Sequence, residues 1–420
     1  MRAFYSSLFY LIIPFIALRL LWRGIKAPDY LNRWHERIAL YRKKYHEDVI
    51  WFHAVSVGET EALFPLIRLI QYKHPEAKLL ITTTTPTGSA RVTAALKNTV
   101  THVYLPYDIP DAVSRFMHCF KPRLAVIMET EIWPNLYAYC SKNNIPLYLI
   151  NARLSEKSAQ GYLKLPALVH PALAAAKLIA TQTPHDSQRF ISIGASSEKV
   201  VALGNMKFDV DVSPEIIEQG LLLKTNLFSE RFVWICASTH KDEERLCLEI
   251  YQKIKLQIPQ LLLIIAPRHP ERFTDVKKLC EQHHLEVTMR TTGIACQSST
   301  DVYLADTLGE LKLLYTVADI AFVGGSLVPV GGHNILEAIA AGVPVLFGPY
   351  MDNFKDIAQG VLTQGAAIQC QDKDAVENAL LSLYSAPVFR KQLTEKAKLF
   401  VQQNKGAITR IYDRLAQDIS

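Results

Sequence analysis

The sequence predicts two doubly wound α/β domains behind an apolar N-terminal helix. The chain has 420 residues, 49% of them hydrophobic, which is long for one core and rich enough for two. From Val49 onward, short apolar runs alternate with amphipathic helical patterns in two blocks. Ahead of them, residues 4–22 are almost unbroken apolar sequence.

That front segment carries one charge, Arg19, and its length is at the lower bound for a membrane-spanning helix. It ends in bulky Leu20-Leu21-Trp22, not in the small residues of a signal-peptide cleavage site. Three readings stand: a span, a helix lying in the interface with Pro14 as a kink, or a buried core helix. Residues 1–45 hold nine basic residues (Arg2, Arg19, Arg23, Lys26, Arg33, Arg37, Arg42, Lys43, Lys44) against two acidic ones, Asp29 and Glu36. The formal charge of +6 therefore sits at the front, and the rest is close to neutral. A neutral body excludes a general nucleic-acid binder. A basic front end suits anionic lipid head groups and favours a cytoplasmic position for the remainder of the chain. The seven cysteines are far apart and form no CxxC pair, which reads as buried free thiols with neither a disulfide framework nor a zinc site.

Strands are expected at 50–57, 78–84, 103–105, 124–128, 147–151, 178–181 and 200–203. A second set is expected at 232–237, 261–266, 285–289, 302–304, 320–323 and 343–347. Most are continuous apolar runs, as in strands buried on both faces of a parallel sheet. Helical patterns lie between them, such as 61–72 with Leu63, Leu66, Ile67 and Ile70 on one side. The expected division is an anchor at 1–28, a first domain at 29–210, a linker at 211–230 where strand signals lapse, and a second domain at 231–385. Helices at 386–420 are expected to pack back across the seam. Ligands of open α/β sheets bind beyond the carboxyl ends of the strands, so functional residues should follow the strands and line a central cleft between the domains.

Unusual residues occur at those places. Glu59, in Ser56-Val57-Gly58-Glu59-Thr60, falls near a strand tip and a helix start. It is either a base that accepts a proton from an attacking hydroxyl or a helix cap. Met128-Glu129-Thr130-Glu131 runs from a strand into two carboxylates. Continued strand geometry would point Glu129 and Glu131 the same way, and their repulsion calls for a cation such as Arg153. Lys207 is either a cation in the cleft or a solvated surface lysine. Asp209-Val210-Asp211 matches a DxD metal motif only formally. Arg268 and Arg272, after the strand at 261–266, suit phosphate. Gly324-Gly325-Ser326 and Gly331-Gly332-His333-Asn334, the latter opening a helix at 335–341, offer backbone N–H groups to phosphate, and Glu337 could accept from a ribose. His333 is either a ligand or a packed histidine.

Taken together, SVGET, TTTTPTG, YLPYD, METEIWPN, NARLS, GNMKFD, APRHPERF, DTLGEL, FVGGSLVPVGGHNILEA and FKDI resemble the bacterial 3-deoxy-D-manno-oct-2-ulosonic acid (Kdo) transferases of lipopolysaccharide synthesis. The resemblance covers nearly the whole chain. It implies a GT-B fold, an inverting transfer of Kdo from CMP-Kdo to lipid IVA, no metal or other cofactor, and a place at the cytoplasmic side of the inner membrane. It makes 29–210 the acceptor domain and 231–385 the CMP-Kdo domain. By motif position it makes Glu59 the general base, and Glu129 and Lys207 the stabilisers of the transition state. Pro267-Arg268, Leu308-Gly309-Glu310 and Asn334-Ile335-Leu336-Glu337 become the CMP-binding segments. Two rivals are another GT-B enzyme, such as a UDP-sugar transferase or sugar-nucleotide epimerase, and a non-catalytic membrane-bound sugar-nucleotide-binding protein.

Overall fold

The computed structural model describes residues 1–41, 48–228 and 230–419. Arg42, Lys43 and Lys44 of the basic front end, and Ser229 of the expected linker, lie outside them. The chain forms two compact units, one built from Met1–Asp209 and the chain from Lys405 on, the other from Val210–Asn404.

Unit 1 holds a parallel sheet of β1 (Ile50–His53), β2 (Leu79–Thr83), β3 (Thr101–Tyr104), β4 (Leu124–Met128), β5 (Leu147–Ala152), β6 (Leu178–Thr181) and β7 (Val200–Ala202), in the order β3-β2-β1-β4-β5-β6-β7. The central strands are buried on both faces. Ile50 and Phe52 of β1 join one apolar layer with Leu63 and Ile67, while Trp51 joins the opposite layer with Phe116, Phe120 and Tyr137. That division follows from the two-residue alternation of a strand. Connecting helices begin where proline meets a cap. Pro86 and Pro184 occupy the first helical turn, and the preceding Thr85 and Thr183 accept hydrogen bonds from the backbone N–H of Gly88 and Asp186. Proline loses nothing at that position, and the threonine satisfies a donor that the helix leaves open.

Unit 2 holds β8 (Phe232–Thr239), β9 (Leu261–Pro267), β10 (Val287–Met289), β11 (Val302–Leu304), β12 (Ile320–Val323), β13 (Val345–Phe347) and β14 (Ile368–Gln369), ordered β10-β11-β9-β8-β12-β13-β14. Every strand expected from the sequence is present, several of them with shifted ends. The run at 50–57 stops at His53, because Ser56 caps the next helix. The run at 343–347 starts at Val345, after Pro344, which has no N–H for a ladder. The two-residue β14 was not expected. Residues expected as linker carry the helix Pro214–Leu223, whose Gly220 lies against Thr316 within unit 2.

The closing segment breaks at Gly406, which has a φ of +91°. The helix Pro387–Asn404 belongs to unit 2, and the helix Ala407–Ile419 completes an apolar layer of unit 1 through Ile408, Ile411 and Leu415. Asp209 accepts hydrogen bonds from the N–H groups of Gly406 (2.5 Å) and Ile408 (2.6 Å). Its carboxylate thus caps the last helix. Of the seven thiols, Cys119 and Cys296 are half-buried and the others buried.

At the front, a single helix runs over Arg2–Lys26 with Pro14 inside it. It is long and apolar enough to cross a membrane, and most of its large side chains are exposed, so it is not a buried core helix.

Asp209→Ala removes the acceptor shared by two N–H groups. It should cost unit 1 ~1–2 kcal/mol. Hydrogen exchange should show faster amide exchange in the helix Ala407–Ile419 than in the helices of unit 2.

Candidate active site

In unit 1 the strand order reverses direction between β1 and β4, the place where open α/β sheets collect ligands. Glu59 and Glu129 follow these two strands. Glu59 lies in the first turn of the helix Val57–Lys73, not on the strand tip. Its carboxylate accepts from the Ser56 hydroxyl (2.9 Å) and the Val55 N–H (2.8 Å), while Ser56 Oγ accepts from the Glu59 N–H. The capping role is therefore real, and it fixes the side chain. Burial, then the charge of Glu129, pushes the Glu59 pKa above the ordinary glutamate range. A buried, oriented carboxylate with a raised pKa has the character of a general base.

The expectation that Glu129 and Glu131 extend the strand is corrected. The strand stops at Met128, and Glu129 takes a φ of +55°, a conformation costly for a residue with a Cβ and characteristic of functional sites. The turn carries Glu129 to two cations. Arg153 Nε lies 3.1 Å from Oε2, and Lys207 Nζ lies 3.9 Å from Oε1. Lys207 is thus held in the site, its loop fixed by Asn205 Oδ1 accepting from the Lys207 N–H and by buried Asn151 Oδ1 accepting from the Met206 N–H. Glu131, named in the motif but not among the expected site residues, is the third carboxylate. Burial, then the charge of Glu59, raises its pKa to about 7.

In unit 2 the reversal falls between β8 and β12. Here the expectation of free N–H groups in the first glycine loop is overturned. Glu243, fully buried, accepts from the N–H groups of Gly325 (2.6 Å), Ser326 (3.0 Å), Leu327 (2.9 Å) and His240 (3.1 Å). The protein's own carboxylate fills the nest that would otherwise take an anion. Of the two arginines, Arg272 is committed to a bidentate pair with buried Glu244 (3.1 and 3.0 Å). Arg268 stays exposed after β9, its N–H donating to Thr239 O.

Arg268 stands with three imidazoles. His240 Nε2 lies 2.8 Å from His333 Nε2 with the rings stacked, and His269 meets His240 edge-on at 5.3 Å. Burial, then Arg268 and the neighbouring histidines, lowers His333 to about 3, and His240 is lowered as well. Both rings are therefore neutral near pH 7, one donating its N–H to the other. His240 and His269 were missed, although His240 follows β8 as the other site residues follow their strands.

The remaining expected residues act in narrower ways. Pro267 is buried at the end of β9. Ile335 and Leu336 are also buried, which leaves only their main chain for a ligand, and Asn334 Oδ1 accepts from the Leu336 N–H. Glu337 is half-buried in the short helix Leu336–Ala340. Leu308 is exposed beside Gly309, whose φ is +85°. Glu310 is held by Arg290 through two hydrogen bonds (3.1 and 2.8 Å), which lower its pKa.

Glu243→Gln puts an NH2 group where N–H donors already converge. It should destabilise unit 2 by roughly 3 kcal/mol. Chemical denaturation should register that loss, and Glu249→Gln, in solvent-accessible ion pairs with Arg245 and Lys373, should leave stability within about 1 kcal/mol of the parent.

Residues 32–210 match the family model described as 3-deoxy-D-manno-octulosonic-acid transferase (kdotransferase), and residues 240–400 match glycosyl transferases group 1. The chain is 37% identical over 417 residues to the 3-deoxy-D-manno-octulosonic acid transferase of Haemophilus influenzae, covering 99% of this chain and 98% of that one. It is 35% identical to the enzyme of that name from Bordetella pertussis, covering 87% and 86%. In fold alone it is similar to the UDP-GlcNAc 2-epimerase of Neisseria meningitidis (14% identity, TM-score 0.56, covering 88% of this chain and 100% of that chain). With two parallel-sheet α/β domains of GT-B type and homology along its whole length, the chain belongs to the 3-deoxy-D-manno-octulosonic-acid transferase family of glycosyltransferases.

Proposed function

We propose that the protein transfers Kdo from CMP-Kdo to lipid IVA, with inversion, using Glu59 as the general base. The observation that carries this reading is the group Glu59, Glu129, Arg153 and Lys207 at the reversal point of the first sheet. Glu59 takes the proton of the acceptor hydroxyl as its oxygen bonds to the anomeric carbon of Kdo. The bond from that carbon to the CMP phosphate breaks, and the electron pair leaves with the phosphate. One displacement at one carbon inverts it. No acid is required, because a phosphate leaves without a proton.

Lys207 and Arg153 balance the Kdo carboxylate beside Glu129, and the Glu129 charge offsets positive character developing at the sugar. Arg268 and the imidazoles of His240 and His269 suit the phosphate of CMP. Leu308-Gly309-Glu310 and Asn334 to Glu337 complete its binding in this reading. Residues 29–210 then serve the acceptor and residues 231–385 the donor. The basic residues after the N-terminal helix favour the cytoplasmic side of the inner membrane.

The test combines purified protein, lipid IVA and freshly generated CMP-Kdo, read by mass spectrometry. A gain of one or more Kdo units is expected. Glu59→Gln should lower the rate roughly a hundred- to ten-thousand-fold with CMP binding retained. No gain with the parent protein, where an established Kdo transferase works, would remove the assignment.

The pH dependence comes from the direction of the Glu59 shift. A base must be ionised, and this one ionises above the ordinary glutamate range. Activity should therefore fall as pH drops through that raised value. Glu129→Gln removes one cause of the elevation, so the acid limb of kcat/KM should move to lower pH even as the rate declines. An unmoved limb would assign it to another group.

A further inference from the structure

We infer that the N-terminal helix lies in the plane of a phospholipid bilayer, between lipid on one side and unit 1 on the other, and does not cross it. This rests on the membrane reading given above and decides between its two forms.

The helix has two apolar faces with different fates. Ser6, Phe9, Ile13, Ile16, Leu20 and Gly24 are buried or half-buried, a stripe that runs its length. Phe4, Leu11, Phe15, Leu18, Trp22 and Ile25 are exposed. Phe9 and Leu18 are nine residues apart, two and a half turns, and therefore on opposite sides, as are Ile13 and Trp22. The first stripe is occupied by protein. Phe9 and Ile13 pack on the layer that contains Phe116, Phe120 and Tyr137. Near the other end, a Cβ on Gly24 would strike Leu31.

Polar bonds fix the same contact. Tyr5 donates to Asp108 Oδ2 (3.1 Å), Ser6 donates to Asn135 Oδ1 (3.1 Å), and Tyr10 donates to Asp111 Oδ2 (2.7 Å). Asp111 is exposed, so this part of the helix sits beside polar, water-facing surface. A span would carry the helices Pro110–Phe120 and Pro134–Lys142, with Arg115 and Lys142, into hydrocarbon alongside it, which is strongly unfavourable. An in-plane helix avoids that and still covers the second stripe with lipid. Interfacial helices normally show a polar face. This one does not because the face away from lipid is taken by protein, not water. Arg19 and Arg23 are exposed, and Arg23 reaches toward the Tyr30 ring (5.3 Å), where lipid phosphates would lie. The excess of basic residues over 1–45 makes anionic phospholipid the matching surface.

The experiment uses the full chain on vesicles of anionic phospholipid. Half-buried Cys119 and Cys296 are replaced by serine, and single cysteines at Leu11, Leu18 and Ile25 carry nitroxide labels. Power saturation with oxygen and a polar nickel chelate then reports depth. The in-plane helix predicts similar shallow depths at all three sites. A span predicts depths that differ by about 20 Å between Leu11 and Ile25, at ~1.5 Å per residue, and that result would overturn the inference while leaving membrane binding intact. Protein that stays with the aqueous phase would instead overturn the membrane reading itself. Labels shielded from both reagents, together with a dimer in solution, would assign the stripe to a second copy of the chain and also defeat the inference. Leu11→Glu with Leu18→Glu, on the exposed face, should reduce vesicle binding at least tenfold, with turnover of a soluble donor retained.

Discussion

The bond on which the molecule most depends joins a backbone N–H to a carboxylate taken out of water. A buried carboxylate is tolerable only when fixed donors replace its hydration. Asp108 accepts from the N–H groups of Asn135 and Leu136, Asp186 from Leu154, and Glu243 from four residues at once. Most of these bonds tie a segment after one strand to a loop distant in sequence. The ends of parallel strands, which share no hairpins, are stitched together in this way. Glu59 is built on the same pattern through Val55, but with Glu129 and Glu131 close enough to act on it. A structural device becomes a chemical one when like charges are brought to it.

The two sheets use their reversal points differently. The first gathers carboxylates and cations that can exchange protons and balance a passing charge. The second spends its buried carboxylate on holding a glycine loop and presents neutral imidazoles and an exposed guanidinium. The clustered carboxylates with their cations and the imidazoles with their guanidinium thus lie in separate units, each held by its own core.

Much of this was legible in the sequence, because a strand buried on both faces cannot conceal its composition. Runs such as Leu124 to Met128 and Ile320 to Val323 have the boundaries they were expected to have. Glu59 and Glu129 stood out by position after strands, and Lys207 only through the motif that carries the family resemblance. What stayed hidden depended on partners far along the chain. Glu243-Glu244 reads as an exposed, charged helix start, yet both side chains are fully buried, one against a loop more than eighty residues away and the other on Arg272. The turn at Glu129 was hidden because a positive φ at a non-glycine residue has no sequence mark. Asp209 resembled half of a metal motif and proved to be a helix cap, because the helix it serves lies at the far end of the chain.

That last arrangement has a consequence for synthesis. The first unit is assembled from Met1–Asp209 and the segment from Lys405 on, and the second is threaded between these two segments as an insertion. Domains ordinarily mature in the order in which the ribosome delivers them. Here the order is inverted: the second unit is complete while the first still lacks Ile408, Ile411 and Leu415, and the apolar layer they cover stays open. The unit bearing Glu59 becomes whole only once the helix Ala407–Ile419 is translated, so a message cut short before that helix yields a complete second unit beside an unfinished first.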